Sequence, residues 1–252
     1  MPSIVFITGA TSGFGKSFAE KFASHGYDLI LNGRRADRLE AIKKELESKY
    51  NIAVLSLPFD VQIQDIVFKK IRNIPEEWQS IDILINNAGL ALGRDFFDDA
   101  LLEDWNTMID TNVKGLLYVT KAVIPFMKKN KKGHIINLGS IAGKEVYERG
   151  NAYCASKSAV DALSQAMRID LLPHNIKVTA IHPGAADTEF SLVRFKGDPE
   201  RAKAVYQGYI PLVAEDVAEI AYYCASLPPH VCINDLVVTC TSQANSFYTY
   251  KG

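Results

Sequence analysis

The residue types and spacing of Ser140, Tyr153 and Lys157 could support acid–base chemistry on an alcohol or a carbonyl. Tyr153 and Lys157 are four residues apart, so a helix would place them on one face. A phenol has an ordinary pKa of about 10 and is a poor base at neutral pH, but a nearby ammonium favours its ionised form. Such a pair is also common on surface helices. Its position after Ser140, which ends an apolar strand-like run, favours the interpretation of Tyr153 as a general acid and base. Lys157, together with the positive nicotinamide of an oxidised cofactor, would then lower its pKa.

A glycine-rich stretch, residues 8–15, follows the apolar run 4–7 and precedes a run typical of a helix, 16–26. A strand that enters a helix through such a turn presents unpaired backbone N–H groups to an anion. The glycines permit positive φ angles and a close approach of the backbone to a phosphate. The spacing, G-x-x-x-G-x-G, differs from the usual dinucleotide fingerprint. We expect the turn to bind the phosphates of a dinucleotide; the alternative is a tight turn without a ligand.

The end of the second predicted strand indicates which dinucleotide this is. An acidic residue at this point would accept the ribose 2′-hydroxyl of NAD, but the strand ends with Arg34 and Arg35. Guanidinium groups suit a 2′-phosphate, so the sequence favours NADP(H). The alternative is that Arg34, Arg35 and Arg38 are ordinary surface residues. Asp60, at the end of the third strand, could either receive the adenine amino group or cap the following helix.

Short apolar runs alternate with longer amphipathic ones along all 252 residues. This alternation is typical of an α/β fold, a three-layer sandwich in which helices cover both faces of a parallel sheet. Beyond residues 4–7, the predicted strands are 27–31, 52–57, 81–85, 133–138, 176–181 and 236–239. Beyond 16–26, the predicted helices are 36–50, 64–72, 102–129 with Pro125 as a kink or end, 152–172, 198–208 and 214–226. We interpret residues 1–252 as a single domain with a substrate-loop insertion at about 184–212.

Composition argues against several classes of partner. The formal net charge of −1 does not favour nucleic acid or an acidic membrane surface. The four cysteines have no zinc-site spacing, and no metal site is expected. No apolar run approaches the ~20 residues that span a bilayer, and we expect no leader because the first predicted strand starts at Ser3. We therefore expect a cytoplasmic protein with a small-molecule substrate.

Taken together, the motifs resemble those of the short-chain dehydrogenase/reductase family over essentially the whole chain. The residues that carry the resemblance are Thr8-Gly9-x-x-x-Gly13-x-Gly15, Asn86-Asn87-Ala88-Gly89, Asn112, Ser140, Tyr153-x-x-x-Lys157 and Pro183-Gly184-x-x-x-Thr188. The resemblance implies a Rossmann-type fold with a seven-stranded parallel sheet in the order 3-2-1-4-5-6-7. It also implies an enzyme that transfers a hydride, and an assembly of four identical subunits.

The resemblance also assigns roles to particular residues. It implies that Ser140 positions the reacting oxygen, that Lys157 holds the nicotinamide ribose, and that Asn112 completes a proton relay through water to Lys157. The implied catalytic residues are Asn112, Ser140, Tyr153 and Lys157. The expected NADP(H)-binding residues are Gly9, Thr11, Ser12, Gly13, Phe14, Gly15, Arg34, Arg35, Asp60, Val61, Asn87, Ala88, Gly89, Tyr153, Lys157, Pro183, Gly184 and Thr188. Within this set, Asn87 is implied to line the adenosine-ribose side, and residues 183–188 to contact the nicotinamide and its phosphate.

A narrower resemblance concerns the substrate. Residues 33–35, 87–93, 104–112 and 193–198 are similar to those of the NADP-dependent 3-hydroxy acid dehydrogenases. That group oxidises serine, allo-threonine and related acids, or reduces carbonyls of the malonic semialdehyde type. Residues 147–150 depart from the group because they are bulkier and more charged. A reductase of another ketone or aldehyde, or a non-catalytic NADPH-binding regulatory protein, are the alternatives.

A hydroxy acid needs a cation or a hydrogen-bond donor for its carboxylate. Arg194 is the expected substrate contact alongside Ser140 and Tyr153, and Lys196, Arg149 and Lys144 are further candidates. The aromatic-rich loop 190–210 could close over the nicotinamide as a lid. The alternative is an ordinary solvated loop.

Overall fold

The computed structural model describes residues 3–252, and its centre is one parallel sheet. Seven strands in this range pair in the order β3-β2-β1-β4-β5-β6-β7, which confirms the predicted order and the Rossmann-like fold. The strands are β1 (Ile4–Ile7), β2 (Asp28–Gly33), β3 (Val54–Pro58), β4 (Ile81–Asn86), β5 (Gly133–Leu138), β6 (Ile176–Pro183) and β7 (Asp235–Val238). Between β1 and β4 the order reverses, and a parallel sheet of this kind binds ligands at the carboxyl ends of the strands near such a reversal.

Helices cover both faces of the sheet. They are α1 (Gly13–Ala23), α2 (Ala36–Tyr50), α3 (Gln64–Arg72), α4 (Leu102–Ile109), α5 (Leu116–Asn130), α6 (Asn151–Leu171), α7 (Glu189–Arg194), α8 (Pro199–Ala204) and α9 (Ala214–Ser226). Each connects or flanks strands that run in the same direction, as parallel pairing requires. Across residues 3–252, every helix is too short or too polar to cross a bilayer.

Alternate side chains of β1 enter two different hydrophobic cores. Val5 and Ile7 pack on one face with Phe18 of α1, whereas Phe6 packs on the other face with Met127 of α5. All five side chains are essentially inaccessible to solvent. Because successive strand residues point to opposite faces, a continuous apolar run is required where helices cover both faces.

Two predicted helices differ from the observed ones. The stretch 102–129 contains a wider π-helical turn, Asp110–Gly115, between α4 and α5, and Pro125 lies inside α5 without ending it. The predicted helix 198–208 is the shorter α8, and a further short helix, α7, precedes it in a stretch with no predicted helix. Lys196 and Gly197 have φ angles of 54° and 92°, which end α7. Asp198 then caps α8 by accepting a hydrogen bond from the backbone N–H of Arg201.

Candidate active site

The glycine-rich turn between β1 and α1 has the backbone geometry that its sequence predicts. Gly9 and Gly13 have φ angles of 67° and 49°, which favour glycine. Gly15 serves a different purpose, because a Cβ there would overlap the carbonyl oxygen of Gly9. The side-chain amide of Asn87 donates to the carbonyls of Thr8 and Gly9 at 2.9 and 3.2 Å. The residue after β4 therefore holds the turn in shape.

A cleft of about 550 Å³ opens at the carboxyl ends of the strands. It brings together most of the residues expected to bind cofactor or substrate: Gly9, Thr11, Ser12, Gly13, Phe14, Arg34, Arg35, Asp60, Val61, Asn87, Ala88, Gly89, Ser140, Tyr153, Lys157, Pro183, Gly184, Thr188 and Arg194. Two expected residues, Gly15 and Asn112, do not line it. Gly15 packs behind the glycine-rich turn, and Asn112 lies behind the cleft wall.

Arg35 is anchored to the glycine-rich turn. Its guanidinium donates to the hydroxyl of Thr11 at 2.8 Å and to the hydroxyl of Ser12 at 3.0 Å. This contact places a cation beside the backbone N–H groups of the turn. A pocket edge of this kind fits a phosphate, because guanidinium groups form strong hydrogen bonds to phosphate oxygens.

Arg34 and Asp60 also line the cleft. The guanidinium of Arg34 is 3.8 Å from the carboxylate of Asp60. Asp60 accepts a hydrogen bond from the backbone N–H of Gln62 at 3.0 Å, whereas the N-cap residue of α3 is Ile63. The interpretation of Asp60 as a helix cap is therefore wrong: Asp60 closes the turn that precedes the helix.

Ser140, Tyr153 and Lys157 meet in the inner part of the cleft. Ser140 follows β5, and its hydroxyl accepts a hydrogen bond from the backbone N–H of Ala142 at 3.1 Å. Tyr153 and Lys157 lie on α6 and are only 8% and 7% exposed. The ammonium of Lys157 donates to the carbonyl of Leu138 at 2.8 Å. A hydroxyl, a phenol and an ammonium are thus held together in a largely water-excluded place.

Burial controls the ionisation of both groups on α6. Burial, followed by the neighbouring Tyr147, raises the pKa of the Tyr153 phenol well above its usual 10. Hydrogen bonding by Ser140 and the charge of Arg194 oppose this rise, but they do not outweigh it. Burial also lowers the pKa of Lys157 from 10.5 to about 8. The protein groups by themselves therefore keep the phenol protonated, and a phenolate favoured by Lys157 together with an oxidised nicotinamide stays a prediction.

Asn112 lies in the π-helical turn, and its side chain is fully hydrogen-bonded. Its amide oxygen accepts from the backbone N–H of Leu90, and its amide nitrogen donates to the carbonyl of Leu90, both at 2.8 Å. The same nitrogen donates to the hydroxyl of Ser156 at 3.0 Å. Asn112 thus ties the chain after β4 to α6 next to Lys157. Because these bonds use the side chain, a proton relay through Asn112 would need its main-chain carbonyl.

Arg194 reaches the centre of the cleft from α7. Its guanidinium carbon is 5.6 Å from the ring centre of Tyr153 and 5.7 Å from that of Tyr147. Its Nε donates to the carbonyl of Gly93 at 3.2 Å, which fixes the side chain. Phe190 of the same helix has its ring centre 5.6 Å from that of Tyr153. The loop after β6 therefore packs directly over the phenol.

The other candidate cations point away from the cleft. The ammonium of Lys196 pairs with Asp104 at 2.9 Å, and the guanidinium of Arg149 lies 4.0 Å from the ring centre of Phe96. Lys144 bonds two carboxylates outside the cleft. Lys196 and Arg194 are two residues apart, yet only Arg194 lines the cleft. The sequence alone could not separate them.

Several residues that line the cleft were not predicted from the sequence. Arg94 lies at the rim, with its guanidinium carbon 5.9 Å from the ring centre of Tyr147. Gln243 and Ser246 reach the cleft from the C-terminal segment, where the amide oxygen of Gln243 accepts from the backbone N–H of Ala185 at 2.8 Å. No motif marks these positions. They could only be found from contacts between segments that are far apart in the sequence.

One cluster behind Ser140 has side chains of the kind that bind metals. In residues 3–252, the potential ligand atoms of Asp161, His182 and Asp235 lie within 4.8 Å of one another. The ammonium of Lys144 bonds the two carboxylates at 2.9 and 2.6 Å. Lys144 thus supplies the positive charge of this cluster.

Comparisons with known proteins show similarity over most of the chain. The family model of the short chain dehydrogenases matches residues 3–197. An NADP-dependent 3-hydroxy acid dehydrogenase of Escherichia coli (strain K12) is 46% identical over 242 residues, which cover 96% of each chain. A sulfoacetaldehyde reductase of Chromohalobacter salexigens is 45% identical over 249 residues, or 98% of each chain. The closed form of a serine dehydrogenase complexed with NADP⁺ superposes with a TM-score of 0.92 and 42% identity, covering 99% of each chain. The chain belongs to the short chain dehydrogenase family.

Proposed function

We propose that this protein is an NADP(H)-dependent oxidoreductase that interconverts a small 3-hydroxy acid and the corresponding carbonyl compound. The observation that carries the proposal is the position of Arg194, whose guanidinium lies 5.6 Å from the ring centre of Tyr153 in the same cleft as the glycine-rich turn. This arrangement provides a cation for an acid group beside a proton donor. The similarity to a 3-hydroxy acid dehydrogenase over 96% of both chains supports it.

The residues of the outer cleft fit NADP(H). The glycine-rich turn, Arg34 and Arg35 would hold its phosphates, and Lys157 would hold the ribose next to the reacting end. When bound, NADP(H) supplies or accepts the hydride, and its oxidised form brings a positive charge to the inner cleft. The proposed NADP(H) site also includes Gly9, Gly13, Asn87 and the segment after β6.

In the direction of reduction, the hydroxyl of Ser140 holds the carbonyl oxygen, and the phenol of Tyr153 gives its proton to that oxygen as it gains negative charge. The raised pKa of Tyr153 keeps this proton in place before reaction. In the direction of oxidation, the phenol must first lose its proton. The ammonium of Lys157 then stabilises the phenolate.

Two arginines would bind the acid group of the substrate. Arg194 is fixed near Tyr153, and Arg94 lies at the rim beside the shared neighbour Tyr147. Among residues 3–252, neither guanidinium is paired with a carboxylate, although other arginines of the cleft are. Uncompensated guanidinium groups favour an anion with several oxygens.

A sulfonated aldehyde is a second candidate substrate. The sulfoacetaldehyde reductase relative is 45% identical over 98% of both chains, close to the 46% of the 3-hydroxy acid dehydrogenase. Sulfoacetaldehyde and malonic semialdehyde both carry an anionic group one methylene away from the aldehyde carbon. The rim position of Arg94 favours the sulfonate, because the third oxygen gives a second guanidinium a partner.

Steady-state kinetics with NADPH can test the proposal. We expect Arg194→Ala to lower kcat/KM for malonic semialdehyde and sulfoacetaldehyde by ~10- to 100-fold, because a hydrogen-bonded charge contact is lost. The variant should reduce an uncharged aldehyde such as propanal as the wild type does. Arg149→Ala, which removes a cation outside the cleft, is the matched control. An equal loss for charged and uncharged substrates would contradict the assignment.

We also propose that the protein forms a homotetramer. Several large apolar side chains are exposed on α4, α6 and the C-terminal segment, including Leu102 at 69%, Ile169 at 70% and Phe247 at 67%. Burial of these groups between subunits would remove apolar area from water. Light scattering that shows a stable monomer would refute this proposal.

A cytoplasmic location is likewise proposed. All four cysteines in the described range are free thiols, which suits a reducing compartment. Cell fractionation that finds the protein outside the cytoplasm would contradict this.

A further inference from the structure

Glu189, the first residue of α7, is paired with Arg35, which lines the outer cleft, and with Arg38, which lies one turn further along α2. Its carboxylate is 3.5 Å from Nη1 of Arg35 and 3.4 Å from Nη1 of Arg38. Arg35 in turn donates to the hydroxyls of Thr11 and Ser12. A single carboxylate therefore connects the loop after β6 to the glycine-rich turn.

The same short helix also covers the inner cleft. Phe190 packs against the ring of Tyr153, with 5.6 Å between ring centres, and Arg194 ends the helix over the same phenol. The hydroxyl of Thr188 accepts from the backbone N–H of Phe190 and starts the helix. The six residues of α7 therefore contact both the outer and the inner cleft.

We propose that Glu189 lowers the preference for a 2′-phosphorylated dinucleotide by competing with the 2′-phosphate for Arg35. This inference rests on the proposed NADP(H) site. Glu189 weakens binding of the phosphorylated dinucleotide and narrows its advantage over the unphosphorylated one. Arrival of the 2′-phosphate releases Glu189 from Arg35.

The charges and exposures of these groups support competition. A phosphate monoester carries a charge of about −1.5 to −2 at neutral pH, more than the carboxylate that it would displace. The side chains of Arg35, Arg38 and Glu189 are 40%, 47% and 49% exposed, so water can solvate the carboxylate once it is released. A 2′-hydroxyl carries no charge, so it would not displace the Glu189 carboxylate from the guanidinium groups.

Isothermal titration calorimetry with 2′,5′-ADP and 5′-AMP tests the specificity role. These probes differ in the 2′-phosphate and lack the nicotinamide. We expect Glu189→Gln to bind 2′,5′-ADP roughly three- to tenfold more tightly than the wild type, because an exposed like charge is removed. Binding of 5′-AMP should be unchanged. Glu200→Gln, on α8 of the same loop, is the matched control and should behave as the wild type.

Two results would overturn the inference, and they are distinguishable. If Glu189→Gln binds 2′,5′-ADP no more tightly than the wild type while the wild type still prefers 2′,5′-ADP to 5′-AMP, the competition is refuted and the NADP(H) site stands. If the wild type binds both probes equally, the NADP(H) assignment itself is refuted, and the role of Glu189 falls with it.

Discussion

Replacement of Lys157 by methionine should raise the stability of the fold while it removes enzymatic turnover. Lys157 is 7% exposed, and burial lowers the pKa of its ammonium from 10.5 to about 8. This drop corresponds to about 3 kcal/mol of unfavourable free energy in the folded state at neutral pH. Methionine has a similar length and carries no charge, so Lys157→Met removes that cost.

A second effect of the substitution partly offsets this gain. The ammonium donates to the carbonyl of Leu138 at 2.8 Å, and the variant leaves that carbonyl without this donor. An unsatisfied buried acceptor costs ~1–3 kcal/mol. At pH 7 we therefore expect the variant to be more stable by about 1 kcal/mol.

The pH dependence gives a sharper test, because the offset from Leu138 does not vary with pH. The pKa of Lys157 is lower in the folded protein, about 8, than the ordinary 10.5 of the unfolded chain. Between these pH values the unfolded chain binds more protons, so wild-type stability rises with pH. Below about pH 8 the cost is fully present, and near 10.5 it is gone. The stability advantage of Lys157→Met should shrink by about 2 kcal/mol between about pH 8 and 9.5.

Urea unfolding at matched protein concentration measures this difference. The variant should also lose turnover, because its phenol has no ammonium beside it. A stability difference that stays constant across this pH range would refute the claim that Lys157 is held as a costly buried cation.

Two further predictions concern other parts of the chain. Gly15→Ala should destabilise the fold by about 1–3 kcal/mol, because its Cβ would meet the carbonyl of Gly9 and the amide of Asn87; urea unfolding that shows no loss would contradict this packing. Burial lowers the pKa of His134 to about 3, so the unfolded chain binds the extra proton below pH 6.5 and stability falls as the pH falls. Between pH 6.5 and about 5, the free energy of unfolding of His134→Gln should fall by about 2 kcal/mol less than that of the wild type. Equal decreases, measured by urea unfolding, would contradict this.

The fold was predictable because it depends on patterns that are local in the sequence. Runs such as Ile4–Ile7 are apolar at every position, as strands covered on both faces must be. The glycines of the turn after β1 and the four-residue spacing of Tyr153 and Lys157 also reflect local geometry. The cleft residues that they predict do meet at one edge of the sheet.

The remaining features depend on contacts between distant segments. Asn87 was expected to line the cofactor cleft, but its side chain also holds the glycine-rich turn across 79 residues of sequence. Only the folded structure shows that Glu189 reaches Arg35, or that Arg194 and not Lys196 faces Tyr153.

The pKa of the Tyr153 phenol also could not be predicted from the sequence. The motif suggested that Lys157 would lower the pKa of Tyr153, whereas the pKa depends on how fully the phenol is removed from water. Burial is the largest effect on Tyr153, and it acts in the opposite direction to a nearby cation.

Single-turnover reduction of malonic semialdehyde by NADPH, compared between the wild type and Tyr153→Phe, tests the central claim most directly. Phenylalanine keeps the packing against Phe190 and removes only the hydroxyl that would donate the proton. We expect the rate to fall by about 10²–10⁴-fold, as for the loss of a general acid, while NADPH binding stays within about threefold. Retention of the wild-type rate by Tyr153→Phe would contradict the role of Tyr153 as the general acid. If the wild type turned over no carbonyl substrate at all, a non-catalytic NADPH-binding protein would be favoured instead.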